Sequence, residues 1–220
     1  MARPIKPKED ALFVEGPDDM SVINELVKAL LSLDIGAGTQ LVRKPPTSGG
    51  GIDRAVDQFR KYLVERKRAS RVGLVLDRDG LEGRPDNQAS VHDLAKKHGL
   101  GLVQEAGGGF AAKLADGGRV GIWKWPDNQT EGDLEHFVAG LVAPKPVWDY
   151  ARAASREAKE SHEAEFGESE RRKVELKVRS VWIGDSGGGY GHIIRKGLAD
   201  LRGPAVVRFV EWFRWVFLED

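Results

Sequence analysis

The sequence predicts an α/β protein with a mainly parallel sheet flanked by helices and a helical C-terminal extension. Three short apolar runs carry that prediction: Ala11-Leu12-Phe13-Val14, Val72-Gly73-Leu74-Val75-Leu76 and Val120-Gly121-Ile122-Trp123. Each has the length and near-continuous apolarity of a buried strand, and each stops at a turn before a segment of helical periodicity.

The first run ends at Glu15-Gly16-Pro17. From Met20 the residues Val22, Ile23, Leu26, Val27, Leu30 and Leu31 recur at helical spacing, with Asp18 or Asp19 placed to cap the first turn. Residues 40–43 read as a weak strand, 47–51 as a loop, and 52–66 as a helix with Ile52, Val56, Phe59, Tyr62 and Leu63 on one stripe. The second run ends in Asp77-Arg78-Asp79-Gly80, and a short helix follows over 89–98. A Gly-rich irregular stretch leads to the third run, closed by Trp125-Pro126-Asp127-Asn128. A helix then starts at Thr130, with Glu131 and Asp133 in its first turn, and continues through Leu134, Phe137, Val138 and Leu141.

After Pro144 the character changes, because 149–172 is dense in charge and poor in large apolar residues. That segment is either an exposed helix or partly disordered. Val174, Val178, Val181 and Trp182 mark a helical stripe, a Gly-rich turn follows at 184–189, and two helix-like segments, 192–201 and 205–218, complete the pattern. The expected organisation is an α/β core over 1–145 and a helical extension over 146–220 packed on it.

Composition narrows the chemistry. With 40% hydrophobic and 31% charged residues the 220-residue chain reads as an ordinary globular protein, and no apolar run reaches the length that spans a bilayer. No membrane partner is expected, and without a signal-peptide pattern the expected compartment is the cytoplasm. The absence of cysteine removes disulfides, thiolate nucleophiles and Cys-based metal sites, so any metal must be held by oxygen or imidazole. Lys plus Arg equal Asp plus Glu at 34 each, so a nucleic acid would have to be gripped locally. Arg66-Lys67-Arg68 with Arg71, and Arg171-Arg172-Lys173 with Lys177 and Arg179, are the two basic clusters; each alone reads first as a solvated helix face.

The acids are more informative. Side chains alternate along a strand, so Asp77 and Asp79 aim at one side while Arg78 points away. They lie at the carboxyl end of one strand and Glu15 at the carboxyl end of another, the edge at which open α/β sheets bind ligands. Asp19, four residues after Glu15, reaches the same crevice. Each acid alone is an ordinary turn former or helix cap. Together, four converging carboxylates repel one another unless cations are present, and Mg2+ or Mn2+ would resolve the conflict.

The motifs Leu12-Phe13-Val14-Glu15-Gly16-Pro17-Asp18-Asp19 and Leu74-Val75-Leu76-Asp77-Arg78-Asp79-Gly80 resemble the two signatures of the TOPRIM (topoisomerase–primase) domain, over roughly 10–142. Within that superfamily the chain is similar to small bacterial TOPRIM-like proteins related to OLD-family nucleases. Gly121-Ile122-Trp123, Pro126-Asp127-Asn128 and Leu134-Glu135-His136-Phe137 resemble a third block seen there. The resemblance implies a Rossmann-like fold and puts Glu15, Asp19, Asp77 and Asp79 at metal-ligand positions, with Glu135 as a further acid; Arg78 is a departure from the pattern. OLD-type nucleases also carry a lysine in a helical region after the core, where Lys173 and Lys177 stand, and the spacing to Trp182 selects Lys173.

The expected function is metal-dependent hydrolysis of phosphodiester bonds in DNA or RNA, with Asp77 and Asp79 as ligands, Glu15 as ligand or base, and Asp19 and Glu135 in support. The resemblance implies phage defence or nucleic-acid processing beside an ABC-type ATPase; a homo-oligomer is a further expectation. The alternatives are a primase-like nucleotidyl transferase and a non-catalytic interaction module of a larger complex.

Other features are weaker. Gly49-Gly50-Gly51 lacks the Lys-Ser/Thr of a P-loop, Gly187-Gly188-Gly189-Tyr190-Gly191 is too loose for a nucleotide fingerprint, and the five histidines show no ligand or triad spacing. On the last helix, Phe209, Trp212, Phe213, Val216 and Phe217 form a core stripe. Trp215 falls among Arg208, Glu211 and Arg214, so an exposed tryptophan and a protein interface are expected there.

Overall fold

The computed structural model describes residues 4–6, 9–35, 41–44, 51–78, 96–97, 100–101, 103–104, 106–142, 145–184 and 189–219. In chain order they form β1 (Ala11–Phe13), α1 (Pro17–Leu31), β2 (Val42–Arg43), α2 (Ile52–Glu65), β3 (Arg71–Asp77), β4 (Val103–Gln104), β5 (Phe110–Lys113) and β6 (Arg119–Trp125). These are followed by α3 (Leu134–Val142), α4 (Pro146–Ser161), α5 (Arg171–Trp182), α6 (Tyr190–Arg195) and α7 (Pro204–Phe217). The α/β class, the mainly parallel sheet and the helical C-terminal part are as the sequence predicts.

The strands form one sheet in the order β2-β1-β3-β6-β5-β4. The first four are parallel, and β3 runs beside β6 for seven residues, from Arg71 opposite Arg119 to Asp77 opposite Trp125. Strands covered on both faces lose contact with water along their whole length, which is why β3 and β6 read as continuous apolar runs. One face carries Ala11, Phe13, Val72, Leu74, Leu76, Val120 and Ile122 against Ile52, Val56 and Phe59 of α2. The other carries Leu12, Val14, Val75, Trp123 and Trp125 against α1, α3, α6 and α7. From β1 the chain departs towards β2 and from β3 towards the β6 side, so the carboxyl ends of β1 and β3 flank a topological switch point where a crevice opens.

The apolar stripe of α7 is fully buried and belongs to the main core. It packs flat on β3 and β6 where these strands carry glycine: a Cβ on Gly73 would lie 3.1 Å from Phe217 Cζ, and one on Gly121 would run into Val216. Gly121→Ala is expected to cost about 1–3 kcal/mol by overpacking. A thermal melt would read that as a fall of several degrees; an unchanged melt would mean that α7 is not held against β6.

Four expectations are corrected. The Gly-rich stretch before β6 holds an antiparallel edge, β4 with β5 and β5 with β6. Its turn is closed by Leu114 and Gly118 and by Gly118 N–H donating to Asp116 Oδ1 at 2.9 Å, an Asp-Gly signal that marks hairpins. The helix expected from Thr130 begins at Leu134, because Asp127 ties residues 127–130 into a turn by accepting from the Gln129 and Thr130 N–H groups. The stripe expected on α5 is not its buried face: Glu175, Leu176 and Arg179 point inward, and Val181 and Trp182 are exposed.

Trp215 is the fourth. It is only 8% exposed, because the buried Arg119 guanidinium lies 4.5 Å from its ring centre and donates to its carbonyl oxygen. The interface expected there loses its observation. The helix expected over 89–98 falls almost entirely outside the described residues. No helix among those described is long and apolar enough to cross a membrane.

Candidate metal centre

The turn after β1 places the first two acids. Gly16 is extended, Pro17 opens α1, and Asp19, three positions on, accepts the Gly16 N–H at 3.0 Å. Its other oxygen accepts the indole N–H of Trp125, at the end of β6, at 2.9 Å. Asp19 is thus 7% exposed and pinned between two strand ends. Burial raises its carboxyl to about 6, against the lowering by the Trp125 and Gly16 hydrogen bonds. Glu15 Oε1 accepts the backbone N–H of Asp77 at 2.8 Å, so β1 and β3 are tied at their carboxyl ends through an acid.

Asp77 lies deepest. Its Oδ1 accepts the N–H of Leu134, the first residue of α3, at 3.0 Å, so a helix N-terminus faces it. Burial first, then the charges of Glu15, Asp19 and Asp133, push it up to about 9. The next turn is locked onto the β3 end by Arg78, whose backbone pairs with Gly132 in both directions and whose guanidinium donates to the Asn128 carbonyl at 2.7 Å. Arg78 therefore points away from the acids, as alternation predicts. Gly132 has φ +151°, and a Cβ there would meet the His136 ring at 2.9 Å, so only glycine fits this turn.

Two residues that sequence reasoning did not assign to the site are here. Asp133 caps α3 by accepting the His136 N–H at 2.8 Å, contacts the His136 ring at 2.6 Å, and adds negative charge next to Asp77. Tyr190, from α6, donates its phenol to Glu135 Oε1 at 3.1 Å. Burial, then Asp133, raises the Glu135 carboxyl, while Tyr190 and the positive charge of Lys173 lower it. The Gly187–Tyr190 run was the available signal for Tyr190: a Cβ on Gly189 would sit 2.6 Å from Asp18 Oδ1, so small residues let α6 approach α1.

Glu15, Asp19, Asp77 and Glu135 are thus brought together, and Asp133 joins them. Lys173 is exposed on α5, near enough for its charge to act on Glu135. Asp79 lies outside the described residues. Among the described residues no three Asp, Glu or His side chains stand as a ready set around one ion.

Beside the acids lies a cleft of about 580 Å3, lined among others by Asp133, His136, Arg152, Arg172 and Glu175. Glu175, 1% exposed, accepts from Arg171 at 3.2 Å and from Arg172 at 2.8 Å, and Arg179 is buried. The second basic cluster therefore leaves only Lys173 and Lys177 exposed. In the first, Arg66 pairs with Asp116 at 2.6 Å, Lys67 with Glu9 at 3.6 Å, and Arg71 is buried. Each cluster is thus divided between arginines held by the fold and exposed cations, Lys67 and Arg68 in the first and Lys173 and Lys177 in the second.

The family model described as "Protein of unknown function (DUF3226)" matches residues 9–218. The chain belongs to the DUF3226 family. The match runs through the carboxylate crevice and on through α7, so the DUF3226 unit includes both the acids and the helix that completes the core. No curated protein and no solved structure matches this DUF3226 chain.

Proposed function

We propose that the chain is a magnesium- or manganese-dependent phosphodiesterase that cleaves DNA or RNA. The observation that carries this reading is the convergence of Glu15, Asp19, Asp77, Asp133 and Glu135 at the switch-point crevice, where burial first and then the neighbouring charges push Asp77 to about 9. Carboxylates gathered in a poorly solvated crevice keep protons when metal-free and favour a cation when one is offered. The donors are of the kind that hard divalent ions take, all oxygen, in a chain without cysteine. The resemblance of the two motifs to the TOPRIM domain points the same way and extends the proposal to a cytoplasmic setting and an ABC-type ATPase partner.

In this reading Glu15, Asp77, Asp133 and Asp79 would hold the ion. A bound Mg2+ or Mn2+ supplies Lewis-acid stabilisation of the phosphate and an acidified water. Glu15, oriented by the Asp77 N–H, is a ligand or the base that accepts a proton from the attacking water. Asp19, with an N–H on each oxygen, fixes the turn. Tyr190 steadies Glu135, and Lys173 brings positive charge to the phosphate. The test is incubation of plasmid, single-stranded DNA and RNA with each divalent metal and with EDTA. Cleavage of at least one substrate, lost in EDTA, is expected.

Tyr190→Phe removes one hydrogen bond to an acid while keeping the ring packed, and should lower the cleavage rate about tenfold without moving the melting temperature by more than a few degrees. Full activity in that variant would take Glu135 out of the mechanism. A second reading, a non-catalytic interaction module, is favoured by the neutral net charge, 34 basic against 34 acidic residues, which gives the chain no overall attraction to nucleic acid. Metal-dependent thermal protection with no cleavage of any substrate would select it.

A further inference from the structure

Six large apolar side chains are exposed among the described residues, and four of them, Val147, Tyr150, Val181 and Trp182, lie on the α4–α5 pair. Tyr150 and Trp182 are 68% and 47% exposed and stack on one another, ring centres 5.2 Å apart and 30° between planes. Each ring covers part of the other and still exposes about half or more of the residue to solvent. An isolated exposed aromatic is common; a stacked pair flanked by exposed valines is not.

Along α5 the exposed positions Lys173, Lys177 and Val181 follow one another at four-residue intervals, about 6 Å per step. Trp182 is a quarter turn round towards α4. α5 also packs on α3, which carries Glu135. One exposed ridge therefore starts with a lysine beside the carboxylate crevice, continues through a second lysine and ends on two stacked rings. Cations for phosphates with aromatic faces for bases is the composition of a surface that binds unpaired strands. Lysine is depleted from protein–protein interfaces, which argues against a protein as the occupant.

We propose that the α5 ridge is a track for single-stranded nucleic acid, with Lys177 on the backbone and an unpaired base stacked on the Tyr150–Trp182 pair. This rests on the phosphodiesterase reading for its connection to the crevice, and it assigns that site an unpaired strand as substrate.

The test uses the full chain with short fluorescein-labelled single-stranded DNA, single-stranded RNA and duplex DNA, in EDTA so that no strand is cut. Single strands should bind more tightly than duplex. The Tyr150→Ala/Trp182→Ala variant should bind single strands tenfold or more weakly, about the loss expected for one stacked base. Lys177→Ala should weaken binding alike for all sequences and flatten its salt dependence. These side chains are exposed, so circular dichroism and melting should be unchanged. Hydrolysis of bis(p-nitrophenyl) phosphate with Mn2+, a substrate too short to reach the rings, should also be unchanged. Unaltered single-strand affinity in the double variant overturns the track. So does a changed sedimentation coefficient with affinity intact, which would assign the face to a protein partner. If no form hydrolyses the small diester yet the double variant loses affinity, the phosphodiesterase reading fails and the track stands. If hydrolysis proceeds and affinity does not move, the track fails and the hydrolase reading stands.

Discussion

Asp77→Asn is expected to lower metal-dependent cleavage by about a hundredfold or more while leaving the metal-free fold as stable as the wild type, or more so. Asn occupies the same volume, and its side-chain oxygen can still accept the Leu134 N–H that Asp77 Oδ1 accepts at 3.0 Å. What it removes is an acid that has to hold a proton at neutral pH, because burial first and then the charges of Glu15, Asp19 and Asp133 oppose its ionisation. The cost of protonating a buried acid on folding is relieved and a metal donor is lost in one step, so stability and activity should move apart. A fall of that size corresponds to about 3 kcal/mol of transition-state stabilisation, within what a bound cation contributes. Paired melting and cleavage across a Mg2+ or Mn2+ titration reads both effects. The variant should also lose most of the rise in melting temperature that metal gives the wild type by mass action. Cleavage that persists in EDTA, or that ignores the substitution, would sink the metal-dependent reading.

The metal-free protein should lose stability as pH rises through neutrality, opposite to the behaviour of a salt-bridged carboxylate. Asp77 binds its proton up to about 9 in the folded chain, against the ordinary 3.8 of an exposed aspartate. Between those values the native state holds a proton that the unfolded state has released, so stability falls with rising pH. The contribution is complete below about pH 4, declines by about 1.4 kcal/mol per pH unit, and has run its course above about pH 9. Asp19, raised to about 6, adds a smaller decline that ends sooner. Melting in EDTA from pH 5 to 9 should show the fall, and Asp77→Asn should flatten it. Saturating Mn2+ should protect most at high pH, where the cation no longer competes with a proton. Parallel curves for wild type and Asp77→Asn would mean that Asp77 is not the crowded group.

Much of the frame was legible in the residues. Strands buried on both faces have to be apolar throughout, so 11–14, 72–76 and 120–123 announced β1, β3 and β6, and with them the sheet edge at which Glu15 and Asp77 stand. Asp19 follows from its place in the first turn after a Gly-Pro helix start. The short antiparallel edge was hidden because β4 and β5 are two and four residues long, and only the Asp116-Gly117 turn marks them.

What the sequence by itself determined is what depends on neighbours along the chain: the strand runs, the helical stripe of α7, and the pairing of acids with strand ends, each set by side-chain periodicity and turn chemistry. The tertiary structure decided what depends on pairs far apart in sequence. It brought Asp133 and Tyr190 to the acids, buried Trp215 under Arg119, and buried Glu175 and Arg179 against neighbouring elements while leaving Lys173 and Lys177 outside. A helical wheel counts polar neighbours on one helix, but whether a charge is solvated, paired or buried is set by the element packed against it, because desolvation and Coulomb energies act through space.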